Sequence, residues 1–241
     1  MKKKGILLLP GGGMSSWVWK SLVPLLDYHT ITPEYRLPEN TFDNRRRAKI
    51  ADCVQYHISL IQELESVVIV AHSGGGVLAS SIADTIPERI AGIMYISANI
   101  PKLEKSAIEN LPGIIRLLNI QALRSQLPID FTPLTKKERA VRKYFCNAST
   151  EEVIQYVIRQ KLYSEPLCVA FEKVHWTSLN DIPKIYVILT KDKTQSVERQ
   201  NLMASNLRIE TKVQIESDHM VMLSQPEILS RHINDFAKVS Q

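Results

Sequence analysis

The chain has 241 residues, 44% of them apolar, which is enough to bury one sizeable hydrophobic core as a single α/β domain. Lys and Arg number 30 against 25 Asp and Glu, so the formal charge is +5, and these charges are too scattered to favour nucleic-acid binding. No stretch is long and apolar enough to predict a membrane span.

Six short runs rich in β-branched and aliphatic residues predict strands, at residues 6–9, 30–32, 67–70, 93–97, 185–190 and 211–215. Lysines before the first run imitate a signal peptide, but the apolar run is too short and ends at Pro10, which favours a strand. Helical patterns lie between most runs, at residues 17–26, 42–63, 77–86, 196–207 and 226–239. This alternation predicts a mainly parallel six-stranded sheet with helices on both faces, whose working residues follow the carboxyl ends of the strands.

The alternation breaks between Pro101 and Pro183, where only helical patterns interrupted by prolines are recognisable. Apolar residues recur there at helical spacing, which is typical of core packing: Ile108, Leu111, Ile114, Ile115 and Leu118, then Val153, Ile154, Val157 and Ile158. We therefore predict a core formed by residues 1–101 and 184–241. Residues 102–183 are predicted to form an inserted helical cap, or lid, over the active-site face.

The three cysteines, Cys53, Cys146 and Cys168, have no paired spacing. This pattern predicts reduced thiols in a cytoplasmic protein.

The most informative segment, residues 67–78, reads V-V-I-V-A-H-S-G-G-G-V-L. A strand that turns sharply into a helix lifts the side chain at the turn clear of the sheet and needs small neighbours, so Ser73 is a candidate nucleophile. A structural turn or a phosphate loop is the alternative. A P-loop would need a lysine after the glycines, and the dinucleotide fingerprint fails because Ala79 stands where its third glycine belongs.

A serine nucleophile needs a base, and the base needs an acid to hold its tautomer. His219 follows the last predicted strand and is the candidate base, whereas the other five histidines are expected to be structural or solvated: His29, His57, His72, His175 and His232. The candidate acid is Asp192, directly after the strand at 185–190. Its rival Asp218 adjoins His219 and is expected to support the loop, and Asp181 precedes a strand at the wrong end of the sheet.

Acyl transfer also requires N–H donors for a developing oxyanion. The residue after the nucleophile, Gly74, would supply one. The second should come from the loop after the first strand, residues 10–14, for which a phosphate cradle is the alternative interpretation.

These motifs resemble the α/β-hydrolase superfamily, and within it the group of plant methyl esterases and hydroxynitrile lyases together with bacterial esterases of similar size. The resemblance rests on L-L-P-G-G-G-M-S-S-W-V-W at residues 8–19, the turn at 68–75, and L-T-K-D-K-T with S-D-H-M-V-M-L-S-Q-P within residues 189–226. It implies an α/β-hydrolase fold with a Ser73, Asp192 and His219 triad. It also implies that Gly12 and Gly74 supply the oxyanion N–H groups.

The chain departs from the family pattern at two positions. Pro10 replaces a histidine that braces the oxyanion loop, so the loop is expected to be held differently here. Ala71 replaces the first glycine of the turn motif, a change of one methyl group that the superfamily tolerates.

Two further positions separate the chemistries within the group. Its lyases carry a lysine after the catalytic histidine and a threonine in the oxyanion loop, where this chain has Met220 and Gly11. The resemblance therefore implies a serine esterase acting on a small, largely apolar carboxylic ester, with no metal or organic cofactor. A non-catalytic ligand receptor and a carbon–carbon lyase are the alternatives, and the sequence leaves a homodimer open.

Overall fold

The computed structural model describes residues 4–39, 41–110, 120 and 134–240. Its six strands are β1 (Lys4–Leu9), β2 (His29–Ile31), β3 (Ser66–His72), β4 (Ile90–Ile96), β5 (Lys184–Leu189) and β6 (Lys212–Ile215). They form one sheet in the order β2-β1-β3-β4-β5-β6, and all five pairings are parallel. The predicted α/β fold is confirmed, and every predicted strand is present within a few residues of its expected position.

Helices connect the strands and cover both faces of the sheet. In chain order they are α1 (Phe42–Arg47), α2 (Ile50–Leu60), α3 (Gly75–Thr85), α4 (Leu134–Ala140), α5 (Glu151–Arg159), α6 (Leu167–Phe171), α7 (Val197–Asn206), α8 (Val221–Ser224) and α9 (Pro226–Val239). A π-helical turn, Val141–Phe145, continues α4, and short 3-10 turns occur at Ser16–Trp19, Val23–Leu25, Pro87–Arg89 and Ala107–Asn110. No described helix is long and apolar enough to cross a membrane.

Two predicted helices are wrong in their extent. Residues 17–26 form two 3-10 turns rather than one helix, because Pro24 lacks the N–H that a continuing helix would use. Residues 42–63 form two helices, because Lys49 has extended backbone geometry and its N–H donates to the Asp52 carboxylate (2.8 Å), which starts a second helix.

The sheet separates two apolar cores. Alternate residues of β1 face opposite sides: Leu7 and Leu9 pack with one cluster, and Ile6 and Leu8 pack with the other. Because both faces are covered, the central strands are almost continuously apolar. Polar residues near these strands are therefore confined to their ends.

In the described part of the region predicted as a cap, the regular elements are helices and helical turns joined by irregular segments, apart from one isolated β-bridge between Ser106 and Lys173. Ile154, Val157 and Ile158 of the second apolar stripe are buried, as core residues should be. The part of the first stripe from 111 to 118 lies outside the described residues. The division into core and cap stays a prediction.

All three cysteines are free and buried. The sequence spacing suggested no pairing, yet the Sγ atoms of Cys53 on α2 and Cys168 on α6 lie 3.8 Å apart.

Candidate active site

Ser73 lies in the sharp turn between β3 and α3. Its φ is 49°, a left-handed conformation that a non-glycine residue rarely adopts. The turn is fixed from both sides, because the Ser73 N–H donates to the Ile96 carbonyl (3.0 Å) and the Asn99 N–H donates to the Ser73 carbonyl (2.8 Å). The side chain is partly exposed at the carboxyl edge of the sheet.

Glycines are required after Ser73 for a steric reason. A Cβ on Gly75 would lie 2.8 Å from the Leu9 carbonyl oxygen, and one on Gly76 would lie 2.7 Å from the Asn99 carbonyl oxygen. Backbone atoms cannot move aside as a flexible side chain can. The start of α3 therefore packs directly against the end of β1 and the loop after β4.

His219 and Asp192 form a buried hydrogen-bonded pair. Asp192 follows β5 and His219 follows β6, and the Nδ1 of His219 lies 2.6 Å from Oδ2 of Asp192. Their side chains are 1% and 0% exposed. With an ionised carboxylate, Nδ1–H is the donor, which leaves Nε2 of the neutral ring as an acceptor.

The Asp192 carboxylate accepts three further hydrogen bonds. Oδ2 also accepts from Ser97 Oγ (2.7 Å), and Oδ1 accepts from the backbone N–H groups of Thr194 (2.6 Å) and Gln195 (3.0 Å). Burial alone would raise the pKa of Asp192, but the adjacent His219 and these hydrogen bonds together hold that pKa below its ordinary value. The carboxylate is therefore ionised at neutral pH.

Ser97 is a functional neighbour that the sequence analysis missed. It follows β4, has a φ of 40°, and uses its hydroxyl on Asp192 while its carbonyl accepts from the Gln195 side-chain amide. A serine at the end of a central strand was the available signal. Serines are common at strand ends, so position alone did not distinguish it.

Asp218 is turned away from the His219 ring. Its Oδ2 accepts from the Ala148 N–H (2.9 Å) and from Ser149 Oγ (2.7 Å), and its Oδ1 accepts from the Met220 N–H (3.2 Å). It thus ties the loop of His219 to the segment between the π-helical turn and α5.

His72 lies beneath the site. Its ring packs on that of His219 with centroids 4.4 Å apart, and its Nε2 is 2.9 Å from the His219 carbonyl oxygen. Burial and the neighbouring His219 hold the pKa of His72 well below its ordinary value, so the ring is neutral and Nε2–H donates to that carbonyl. His72 thus supports the backbone of His219. The ring of Phe145, in the π-helical turn, packs edge-on against His219 at 5.7 Å.

The loop at residues 10–14, hereafter the glycine loop, lies against the Ser73 turn. A Cβ on Gly11 would be 3.0 Å from the Ser73 Cβ, and one on Gly74 would be 3.1 Å from the Gly12 nitrogen. The N–H groups of Gly12 and Gly74 donate no hydrogen bond to any described residue, whereas the Gly13 N–H donates to Glu165 Oε1 (2.8 Å). Two unengaged donors therefore lie beside Ser73.

The structure joins the candidate base to the candidate acid but does not join the nucleophile to the base. Within the described residues, Ser73 Oγ forms no hydrogen bond to His219. Such bonds are often long without substrate and tighten only when substrate is bound. No cluster of three or more His, Cys, Asp or Glu side chains suited to a metal ion occurs in the described part of the chain.

The chain belongs to the alpha/beta hydrolase family, whose model matches residues 6–231. Methylesterase 8 of Arabidopsis thaliana is 23% identical, over 97% of this chain and 89% of that protein. Polyneuridine aldehyde esterase of Rauvolfia serpentina is 26% identical, over 98% and 96% of the two chains. These similarities agree with the plant methyl esterase group that the motifs indicated.

A solved structure of an extracellular α/β-hydrolase from a Paenibacillus species has the same fold. It superposes with a TM-score of 0.80 at 19% identity, covering 96% of this chain and 98% of that one. That protein is described as sharing structural and functional homology with tobacco salicylic acid binding protein 2.

Proposed function

We propose that the protein is a serine esterase that cleaves a small, largely apolar carboxylic ester through an acyl-enzyme intermediate. Ser73 is the proposed nucleophile, His219 the base, and Asp192 the acid that orients the base. The observation that carries the proposal is the buried 2.6 Å hydrogen bond between His219 and Asp192, at the sheet edge where Ser73 occupies its strained turn. The family and its esterase relatives favour the same reaction.

In the proposed reaction, Ser73 Oγ attacks the ester carbonyl carbon while its proton passes to Nε2 of His219. The ionised Asp192 stabilises the imidazolium that forms. The carbonyl oxygen becomes an oxyanion, which accepts from the N–H groups of Gly12 and Gly74. His219 then protonates the departing alkoxide, and water attacks the acyl-enzyme with His219 again taking the proton. Neither a metal nor an organic cofactor enters this scheme.

Hydrolysis is favoured over the lyase alternative by the residue after His219. Met220 is fully buried in an apolar cluster, so it provides no charge that could stabilise a cyanide leaving group. A ligand receptor of the same fold could have the same three residues at these positions. It would differ from an esterase only in the absence of repeated turnover.

Steady-state hydrolysis of p-nitrophenyl acetate tests the proposal. Wild type should turn over repeatedly, and Ser73→Ala should lower kcat by at least about 10³-fold because the nucleophile is gone. Ser205→Ala, an exposed serine on α7, is the matched control and should behave as wild type. A single stoichiometric burst without turnover would favour a receptor, and cyanide release from a cyanohydrin would favour a lyase.

We further propose that the protein works in a reducing compartment, as expected for the cytoplasm. The support is that the three cysteines, Cys53, Cys146 and Cys168, have no paired spacing in the sequence.

A further inference from the structure

The glycine loop is held by two charged residues that lie far from it in sequence. Arg36 is in the connection between β2 and α1, and Glu165 directly precedes α6. We propose that Arg36 and Glu165 are positioning residues that hold the glycine loop so that the Gly12 N–H faces the oxyanion. This inference rests on the proposed ester hydrolysis.

The two side chains bind the loop on both sides of Gly12. Arg36 Nη2 donates to the Pro10 carbonyl (2.5 Å), and Glu165 Oε1 accepts from the Gly13 N–H (2.8 Å). The other carboxylate oxygen, Oε2, accepts from Arg36 Nε (3.1 Å). One carboxylate therefore connects the guanidinium to the loop, so loss of either partner removes one attachment of the loop and the side-chain contact that orients the other.

The backbone of the same segment reinforces this arrangement. The Tyr163 N–H donates to the Gly13 carbonyl (2.8 Å), so residues 163–165 engage Gly13 through both its carbonyl and its N–H. Gly13 has a φ of 74°, which suits glycine and turns the chain at this point. Because Glu165 occupies the Gly13 N–H, that group does not donate toward an oxyanion, whereas the Gly12 N–H beside Ser73 donates to no described residue.

The burial of the pair makes its hydrogen bonds strong and their loss damaging. Arg36 is 6% and Glu165 17% exposed. Charge-assisted hydrogen bonds in such surroundings are stronger than neutral ones, and truncation of Glu165 would take the carboxylate away from the buried Arg36 guanidinium. Alanine variants would therefore confuse unfolding with mispositioning, so the test needs a nearly isosteric change.

Glu165→Gln is that change. A glutamine keeps one oxygen but places an NH2 donor at the other position, where it would face either the Gly13 N–H or the Arg36 Nε–H, and it carries no charge. Glu151→Gln is the matched control, because Glu151 also pairs with an arginine, Arg142, but on the exposed surface of α5.

The experiment measures kcat and KM for p-nitrophenyl acetate and the inhibition constant of an aliphatic trifluoromethyl ketone. Addition of Ser73 Oγ to the ketone carbon forms a hemiketal oxyanion, with the hydroxyl proton passing to His219, so this inhibitor reports on the oxyanion donors. Glu165→Gln should lower kcat about tenfold or more and weaken ketone binding by a similar factor. KM should change by less than about threefold, since substrate binding before attack does not use these donors.

Fluorophosphonate titration gives the fraction of active protein, so partial unfolding cannot produce the same result. Unfolding would lower that fraction, whereas mispositioning weakens inhibition of the molecules that are folded. If Glu165→Gln does not fold, Arg36→Lys carries the test, because a lysine keeps the charge but cannot reproduce the planar donor geometry toward Pro10 and Glu165.

Wild-type kcat and ketone affinity in the folded variant, alongside Ser73-dependent turnover of the wild type, would overturn this inference and leave the proposed function intact. Wild-type protein without Ser73-dependent turnover is a different result, which would overturn the proposed function itself.

Discussion

The His219–Asp192 pair and the glycine loop lie at the same edge of the sheet but are held in different ways. Asp192 receives its hydrogen bonds from His219, from Ser97 directly after β4, and from Thr194 and Gln195 in the loop after β5. The glycine loop receives its own from Arg36 and from residues 163–165, between α5 and α6. The first arrangement is local to the sheet edge, and the second reaches into the region predicted as a cap.

The hydrogen bonds on Asp192 thus differ in origin from those on the glycine loop, while the His219 loop itself also contacts the predicted cap through Asp218 and Phe145. Changes between residues 134 and 171 should affect more than substrate access, because Glu165 also holds the glycine loop. By contrast, the hydrogen bonds that orient His219 through Asp192 come from outside that region.

The largest effect is expected at Asp192. Asp192→Asn should lower kcat for ester hydrolysis by about 10³- to 10⁴-fold, because an amide donor in place of the carboxylate favours the wrong histidine tautomer. Asp218→Asn, with the adjacent carboxylate turned toward Ala148 and Ser149, should lose less than about tenfold in kcat. Steady-state kinetics on the two purified variants measure both effects.

A reversal of that order, with Asp218→Asn the more damaging change, would mean that the acid has been assigned to the wrong residue. Equal losses would mean that the hydrogen bonds from Asp218 to residues 148 and 149 matter to the base as much as Asp192 does.

A smaller effect is expected at the base of the glycine loop. Gly75→Ala should reduce the free energy of unfolding by about 1–3 kcal/mol, because its Cβ would press on the carbonyl oxygens of Leu9 and Pro10 at 2.8 and 2.9 Å. Gly12→Ala is the matched control for stability: its Cβ would have no neighbour nearer than 3.8 Å. Urea unfolding followed by circular dichroism measures the difference. Equal stability of the two variants would show that the close approach of α3 to the Leu9 and Pro10 carbonyl oxygens does not limit stability.

Much of the sheet edge could be predicted from sequence because its determinants are local. Apolar runs mark the strands, and Ser73, Asp192 and His219 each follow a run directly, so parallel topology alone brings them to one edge. The choice of Asp192 over Asp218 as the acid could also be made from the sequence. Asp218 adjoins His219, and side chains of adjacent residues point in different directions.

The attachment of the glycine loop could not be predicted in the same way. Pro10 in place of a histidine indicated that the loop is held differently, but nothing local identified Arg36 or Glu165, which are 26 and 152 residues from their loop partners. Such contacts depend on how the connections fold over the sheet. The same limit explains why Phe145 was missed, whereas Ser97 lies at a strand end, where serines are too common to be distinguished.

The most direct test of the central claim is the site of covalent labelling by a fluorophosphonate, read by intact mass and peptide mapping. Attack by Ser73 Oγ on phosphorus expels fluoride and should leave one adduct per chain on the peptide that contains Ser73. The adduct should be absent from Ser73→Ala. A chain that turns over esters without an adduct on Ser73, or with the adduct on another residue, would contradict the account.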